Sequence, residues 1–334
     1  MNLAIHLFVI IAIGYLLFIG KSLFFPLIAA FFICCIIAAM VETCCKRFPF
    51  IPRSVAFTGS LFLLFSIILV PLQVVAAKVP AIIESLPEYE ANIYALFSDI
   101  ASLMPTASQS FLDGLRSNID IATIITVLAN GIKNFTSNFI LVLVYVGFIL
   151  AEKKNIQNKI STLKNDNAAS LLKIVSHISS RVSTYVWLKM QLSILTALIS
   201  YFIMIIIGLD FPESWALLVF VLNFIPNLGS IIATLSLALF ALVQFETATP
   251  AFLILISIGT LQFCIGSILE PRYIGDSINL SPLVILISLV LWGNLWGIGG
   301  LFFSIPMTVI AKIILWEFDK TRYISVLLSG NCKN

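Results

Sequence analysis

Histidine is nearly missing from this chain, with His6 and His177 the only two in 334 residues. No H-E-x-x-H pattern occurs, so the usual ligands of a zinc hydrolase site are not available. His177 stands among Ser176, Ser179 and Ser180, but no activating acid is suitably placed, and the group reads as a solvated helix face. The six cysteines include two adjacent pairs, Cys34 with Cys35 and Cys44 with Cys45, without zinc-ribbon spacing; they read as small packing residues. A G-x-x-x-x-G-K-[ST] loop is absent too, which leaves ATP without its phosphate cradle and excludes primary pumping by this chain alone. Charge is scarce, at 10% of residues, and the net +3 is spread over loops rather than along a stripe, so no nucleic-acid partner is expected. Neither a cofactor nor a metal site is implied.

Apolar sequence is what the chain has in abundance. Hydrophobic residues make up 60% of it, and the mean hydropathy is +1.09, far from the mix of a soluble domain. The reading is an all-α polytopic membrane protein with about eight membrane segments. Runs at 3–19 and 22–41 form a tight pair, and a third at 54–77 carries Pro71, expected to kink it. A removable signal peptide is not expected, because the first run lacks a basic leader and an A-x-A-like cleavage site. Lys46, Arg47 and Arg53 mark the loop between the second and third runs as cytoplasmic, which places the N-terminus inside. Residues 1–77 thus read as an N-terminal group of three membrane helices.

Over 78–133 acids outnumber bases and the apolar residues become spaced, as in a small extracytoplasmic helical domain that Pro80, Pro87 and Pro105 cut into short amphipathic pieces. A fourth membrane helix follows at 134–151. Residues 152–188, with Lys153, Lys154, Lys159, Lys164, Lys173 and Arg181, read as a cytoplasmic helical connector. The segment 189–319 reads as the transport core, and 320–334 as a cytoplasmic tail.

The core is built on breaks. An apolar limb at 215–225 is stopped by Pro226, Asn227 and Gly229 before 231–245 resumes. After the run 251–269, the stretch from Pro282 repeats the pattern, with breaks at Gly293, Asn294, Gly297 and Gly299. A limb of about 11 to 13 helical residues reaches only half the hydrocarbon core. A full helix followed by a broken one, twice, with opposite orientations, predicts an inverted repeat with two broken or re-entrant hairpins whose tips meet near the bilayer centre. The rival reading is a single kinked crossing at each break, giving eight plain spans; charge counting does not separate the two.

Backbone freed at the breaks, with the amides of Asn223, Asn227, Asn294 and Gln262, forms the candidate polar site for a small solute or monovalent cation. Glu270 and Asp276 are the candidates for a coupling ion, and Arg272, the lone base between Lys189 and Lys312, is the expected partner of Glu270. Plainer readings stand beside these: Glu270 with Arg272 as a loop clasp, Gly293 and Gly297 as a G-x-x-x-G packing pair, Trp292 and Trp296 as interfacial anchors.

Four motifs carry a family resemblance: Phe224-Ile225-Pro226-Asn227-Leu228-Gly229, Glu270-Pro271-Arg272-Tyr273-Ile274-Gly275, Leu280-Ser281-Pro282-Leu283, and Leu291 through Gly300, closed by Pro306. In order and spacing they resemble the autoinducer-2 exporter family of bacterial inner-membrane permeases. Departures are Ser230, where relatives often carry proline, and Met190, where glycine is common. The resemblance implies a secondary transporter of the inner membrane, a homo-oligomer with both termini cytoplasmic, exporting a signalling furanone or exchanging sodium or lithium for protons. It implies no enzyme. The alternative is a non-transporting membrane scaffold acting through 78–133.

Overall fold

The computed structural model describes residues 8, 12, 14–103, 139–152, 155, 166–245, 247–274, 279–319 and 321–330. The described regular structure is helical: α1 (Lys21–Arg47), α2 (Arg53–Leu103), α3 (Phe139–Glu152), α4 (Asp166–Ile207), α5 (Pro212–Leu222), α6 (Leu228–Gln244), α7 (Thr249–Phe263), α8 (Glu270–Ile274), α9 (Pro282–Trp296), α10 (Ile298–Glu317) and α11 (Arg322–Leu327). A π-helical turn, Cys264–Leu269, joins α7 to α8. Among the described residues, five helical stretches are long and apolar enough to cross a membrane: Lys21–Arg47, Arg53–Leu96, Ile174–Ile207, Thr249–Tyr273 and Ile298–Glu317. Four more, α3, α5, α6 and α9, are apolar but shorter. This is a multi-pass membrane protein.

One expectation fails in α2. The helix continues to Leu103 with Pro71, Pro80 and Pro87 inside it, where Pro80 and Pro87 were expected to end short pieces. Each proline removes one backbone hydrogen bond. The residues around these sites are helix formers without an accompanying turn signal, so the ladder resumes after each gap. Most of the region read as an outer domain, 104–133, lies outside the described residues.

The chain divides into two compact units, the first comprising Met1–Leu64, Ser137–Gln191 and Glu270–Asn334, the second Phe65–Thr136 and Leu192–Leu269. In the second, α5 and α6 fold back on each other. Trp215 and Phe240 would stand about 37 Å apart in one straight helix, yet their rings lie 4.9 Å centroid to centroid. Alanines 233, 238 and 241 on α6 are buried and present little bulk, so Ile254 and Ile258 of α7 pack fully buried in the same cluster. The hairpin base is tied by one side chain: Gln244 Nε2 donates to Gly208 O (2.9 Å), and its Oε1 accepts from Asp210 N (2.8 Å). Asp210 Oδ2 in turn accepts from the buried Tyr89 hydroxyl at 2.7 Å.

The first unit holds the other hairpin, α9 with α10. Ser281 caps α9 by accepting from Val284 N, with Pro282 at the first helical position. The helix ends at Gly297, whose φ of 64° and ψ of −142° favour glycine. Beyond it the chain reverses: Trp292 Nε1 donates to Thr308 Oγ1 at 3.1 Å, a pair that would be about 24 Å apart along a continuous helix. Both breaks are therefore hairpins, and a straight kinked passage does not fit either. Phe25 of α1 packs against Trp296 and Phe303, and Phe32 stacks on Phe303 at 4.7 Å. The segment after α10 closes over the start of α9, with Ser281 N donating to Leu328 O and Lys312 Nζ to Asn279 O.

Candidate functional site

In the second unit the α5–α6 tip is the polar feature. Pro226 has no N–H, so α5 ends at Leu222, and the chain turns through Asn227, which adopts φ 57°. Gly229 then packs against the α5 backbone: a Cβ there would sit 1.8 Å from Leu222 O. Asn223 is buried at this turn, and its Nδ2 donates to Ser193 Oγ of α4 at 3.0 Å. Ser193 is fully buried on α4, with Thr196 and Ser200 one and two turns on. Asn227 is exposed at the tip and contributes its carbonyl to Ser230 Oγ.

Gln262 lies on α7. Gly259, three residues earlier on α7, faces Thr234 of α6. Gln262 is 6% exposed, and its Nε2 has no hydrogen-bond partner. An amide donor buried without an acceptor costs about 1–3 kcal/mol. The second unit thus sets Asn223 and Gly229 at one hairpin tip and buries Gln262 on α7. Pro226 shapes that tip and is half-buried.

In the first unit Glu270 begins α8, and its Oε1 lies 2.7 Å from Lys189 Nζ. The lysine side chain is 3% exposed and the glutamate 22%. This corrects the expected pairing with Arg272, which is exposed. Glu270 and Arg272 are two positions apart on one helix and point to different sides, whereas Lys189 is the buried cation whose desolvation demands a counter-charge. Lys189 was missed because it served only as the boundary between the cytoplasmic connector and the transport core. The signal available was its place directly after the apolar run Tyr185 to Leu188.

The second hairpin offers fewer ligands. Asn294 is exposed and spends its Nδ2 on Val290 O within its own helix. Gly293, Gly299 and Gly300 serve close approach: a Cβ at Gly299 would lie 2.3 Å from the Phe25 ring, and one at Gly300 1.8 Å from Trp292 O. Asp276 lies outside the described residues.

Two helical hairpins, a buried amide at the tip of one, and a carboxylate paired with a buried lysine fit a membrane transporter. The sequence comparisons agree: residues 6–320 match the AI-2E family transporter family, and the chain belongs to that family. It is similar to the AI-2 transport protein TqsA of Escherichia coli K12, 30% identical over 308 residues that cover 91% of this chain and 88% of TqsA. A Borreliella burgdorferi protein is 31% identical over 256 residues, 76% of this chain and 70% of its own. E. coli K12 YhhT is 25% identical over 283 residues, covering 83% and 80%. The family is one of transporters and not of enzymes.

Proposed function

We propose that this protein is an ion-coupled secondary transporter of the bacterial inner membrane that exports or exchanges a small solute or monovalent cation. The observation that carries the coupling is the Lys189–Glu270 pair. In this reading Glu270, partly open to water and paired with the buried Lys189, exchanges that partner for the coupling ion during the transport cycle, and the exchange links solute movement to an ion gradient. The similarity to TqsA makes AI-2 the first organic solute to test.

Asn223 and Gln262 are the solute-facing amides in this reading, with Asn227 and Asn294 at the hairpin tips and Gly229, Gly293, Gly297 and Gly299 permitting the turns. Arg272 and Asp276, which follow Glu270 in sequence, complete the proposed set. The two hairpins are taken as re-entrant halves of an inverted repeat within about eight membrane segments, because α5, at 11 residues, reaches only about half the hydrocarbon thickness. Lys46 and Arg53 share one cavity with Ser176 and Ser180, which supports placing both basic segments on the cytoplasmic side together with the two termini. The extracytoplasmic domain at 78–133 and a homo-oligomeric assembly complete the proposal.

Proteoliposomes containing this chain alone, with a pH-sensitive dye inside and sodium or lithium pulses outside, test it. Proton movement in the wild type that Glu270→Gln abolishes is the expected result. Cation-driven proton flux of wild-type size in Glu270→Gln would remove Glu270 from coupling. If neither form responds and a trans-membrane pH or sodium gradient drives no AI-2 movement, ion-coupled export is overturned.

A further inference from the structure

The first unit contains a cavity of about 2230 Å³ that takes no part in the proposed transport site. Its walls come from α1, the start of α2, the end of α3, the first part of α4 and α10. Four of these helices contribute candidate membrane spans. Phe31, Ile37, Phe57, Leu150 and Ile310 make its body apolar. A space that large, lined in that way, is a poor host for ordered water, which needs two to four polar partners per molecule.

Polarity is confined to particular places. Lys46 and Arg53 line the cavity on either side of the short connection between α1 and α2, and Ser176 and Ser180 of α4 line it too. Among the described lining residues the one carboxylate is Glu42, which Lys46 engages at 2.7 Å, so the two cations there outnumber it. Further along α4, about 4.5 Å beyond Ser180 at the helical rise, Ser183 is 8% exposed and its Oγ has no hydrogen-bond partner. Ser183 lines the wall, and rotation about its χ1 offers this unpartnered hydroxyl to an occupant of the cavity.

We propose that this cavity is a binding site for an anionic diacyl phospholipid. The phosphate is held by Arg53 and Lys46 with help from the Ser176 and Ser180 hydroxyls, Ser183 donates to a glycerol ester carbonyl, and the acyl chains fill the apolar body. Basic recesses between membrane helices recognise anionic headgroups by this combination of charge and buried hydrocarbon.

Native mass spectrometry of the full chain, released from micelles loaded with equal amounts of phosphatidylglycerol and phosphatidylcholine of the same acyl length, tests the site. The wild type is expected to retain phosphatidylglycerol in preference by about tenfold. The double variant Lys46→Gln, Arg53→Gln should bring that preference to within about twofold, and Ser183→Phe or Ala38→Phe, which fill the body, should lower retention of both lipids. Lys46 and Arg53 are exposed, so their variant keeps the fold, checked by thermal unfolding. Equal retention of both lipids by the wild type, or unchanged preference in the double variant, overturns the proposal. Displacement of the lipid by inorganic phosphate would assign the cations to a soluble anion instead, and a lipid-free dimer would assign the cavity to a second copy; either result also overturns it.

Discussion

Lys189 Nζ and Glu270 Oε1, 81 positions apart in sequence, lie 2.7 Å from each other, with the lysine side chain 3% exposed. Removing the carboxylate leaves an ammonium in a site that water barely reaches. Glu270→Gln should therefore lower stability by about 3 kcal/mol. The double variant Lys189→Met, Glu270→Gln should recover most of that loss, because no unpaired charge remains. Thermal unfolding in detergent measures both; a double variant no better than the single one would show that the pair is not what Glu270 contributes.

Two glycines hold the hairpins closed. A Cβ at Gly229 would lie 1.8 Å from Leu222 O, and one at Gly300 1.8 Å from Trp292 O. Both contacts are with backbone, which cannot rotate away. Gly229→Ala and Gly300→Ala should each destabilise by about 3 kcal/mol or more, the upper end for overpacking. Gly59, with nothing within 4 Å of the same position, is the control: Gly59→Ala should be neutral or stabilising by up to about 1 kcal/mol. Equal effects at all three sites would show that helix propensity, not contact, governs these positions.

Asn223 Nδ2 and Ser193 Oγ form a buried hydrogen bond of 3.0 Å. Asn223→Ala should cost about 1–3 kcal/mol, since Ser193 is left buried without this partner. Adding Ser193→Ala should cost little more, with a coupling of about 1 kcal/mol in a double-mutant cycle. If Asn223 also contacts solute, transport by Asn223→Ala falls further than transport by Ser193→Ala at matched reconstitution, which a flux assay reads directly.

Gln244 ties both ends of its hairpin through Gly208 O and Asp210 N. Gln244→Leu removes an acceptor and a donor together and should lower stability by about 2 kcal/mol. Tyr89→Phe, which deletes the 2.7 Å bond to Asp210, should cost about 1 kcal/mol and couple to Gln244→Leu, because Asp210 bridges the two. Strict additivity in unfolding measurements would show that the three groups do not act as one clasp.

The sequence by itself determined the membrane class, the helical limbs and where they break. Apolar runs score by length alone, and Pro226 and Gly297 act through their own backbone chemistry. Family membership was legible for the same reason, since its motifs are these breaks. Asn223 and Gln262 were singled out because an amide in hydrocarbon is conspicuous wherever its partner lies, and both are buried. Only the tertiary structure decided the partners. Glu270 met Lys189 rather than its sequence neighbour Arg272, Asn223 met Ser193, and Asn294 turned out to satisfy itself on Val290 O. It also decided that the limbs reverse, and that α2 runs on through three prolines. Spacing along a chain fixes which residues share a helix face; it carries no information on which face meets another helix, and burial of a charge or a glycine's close approach exists only once two such faces have met.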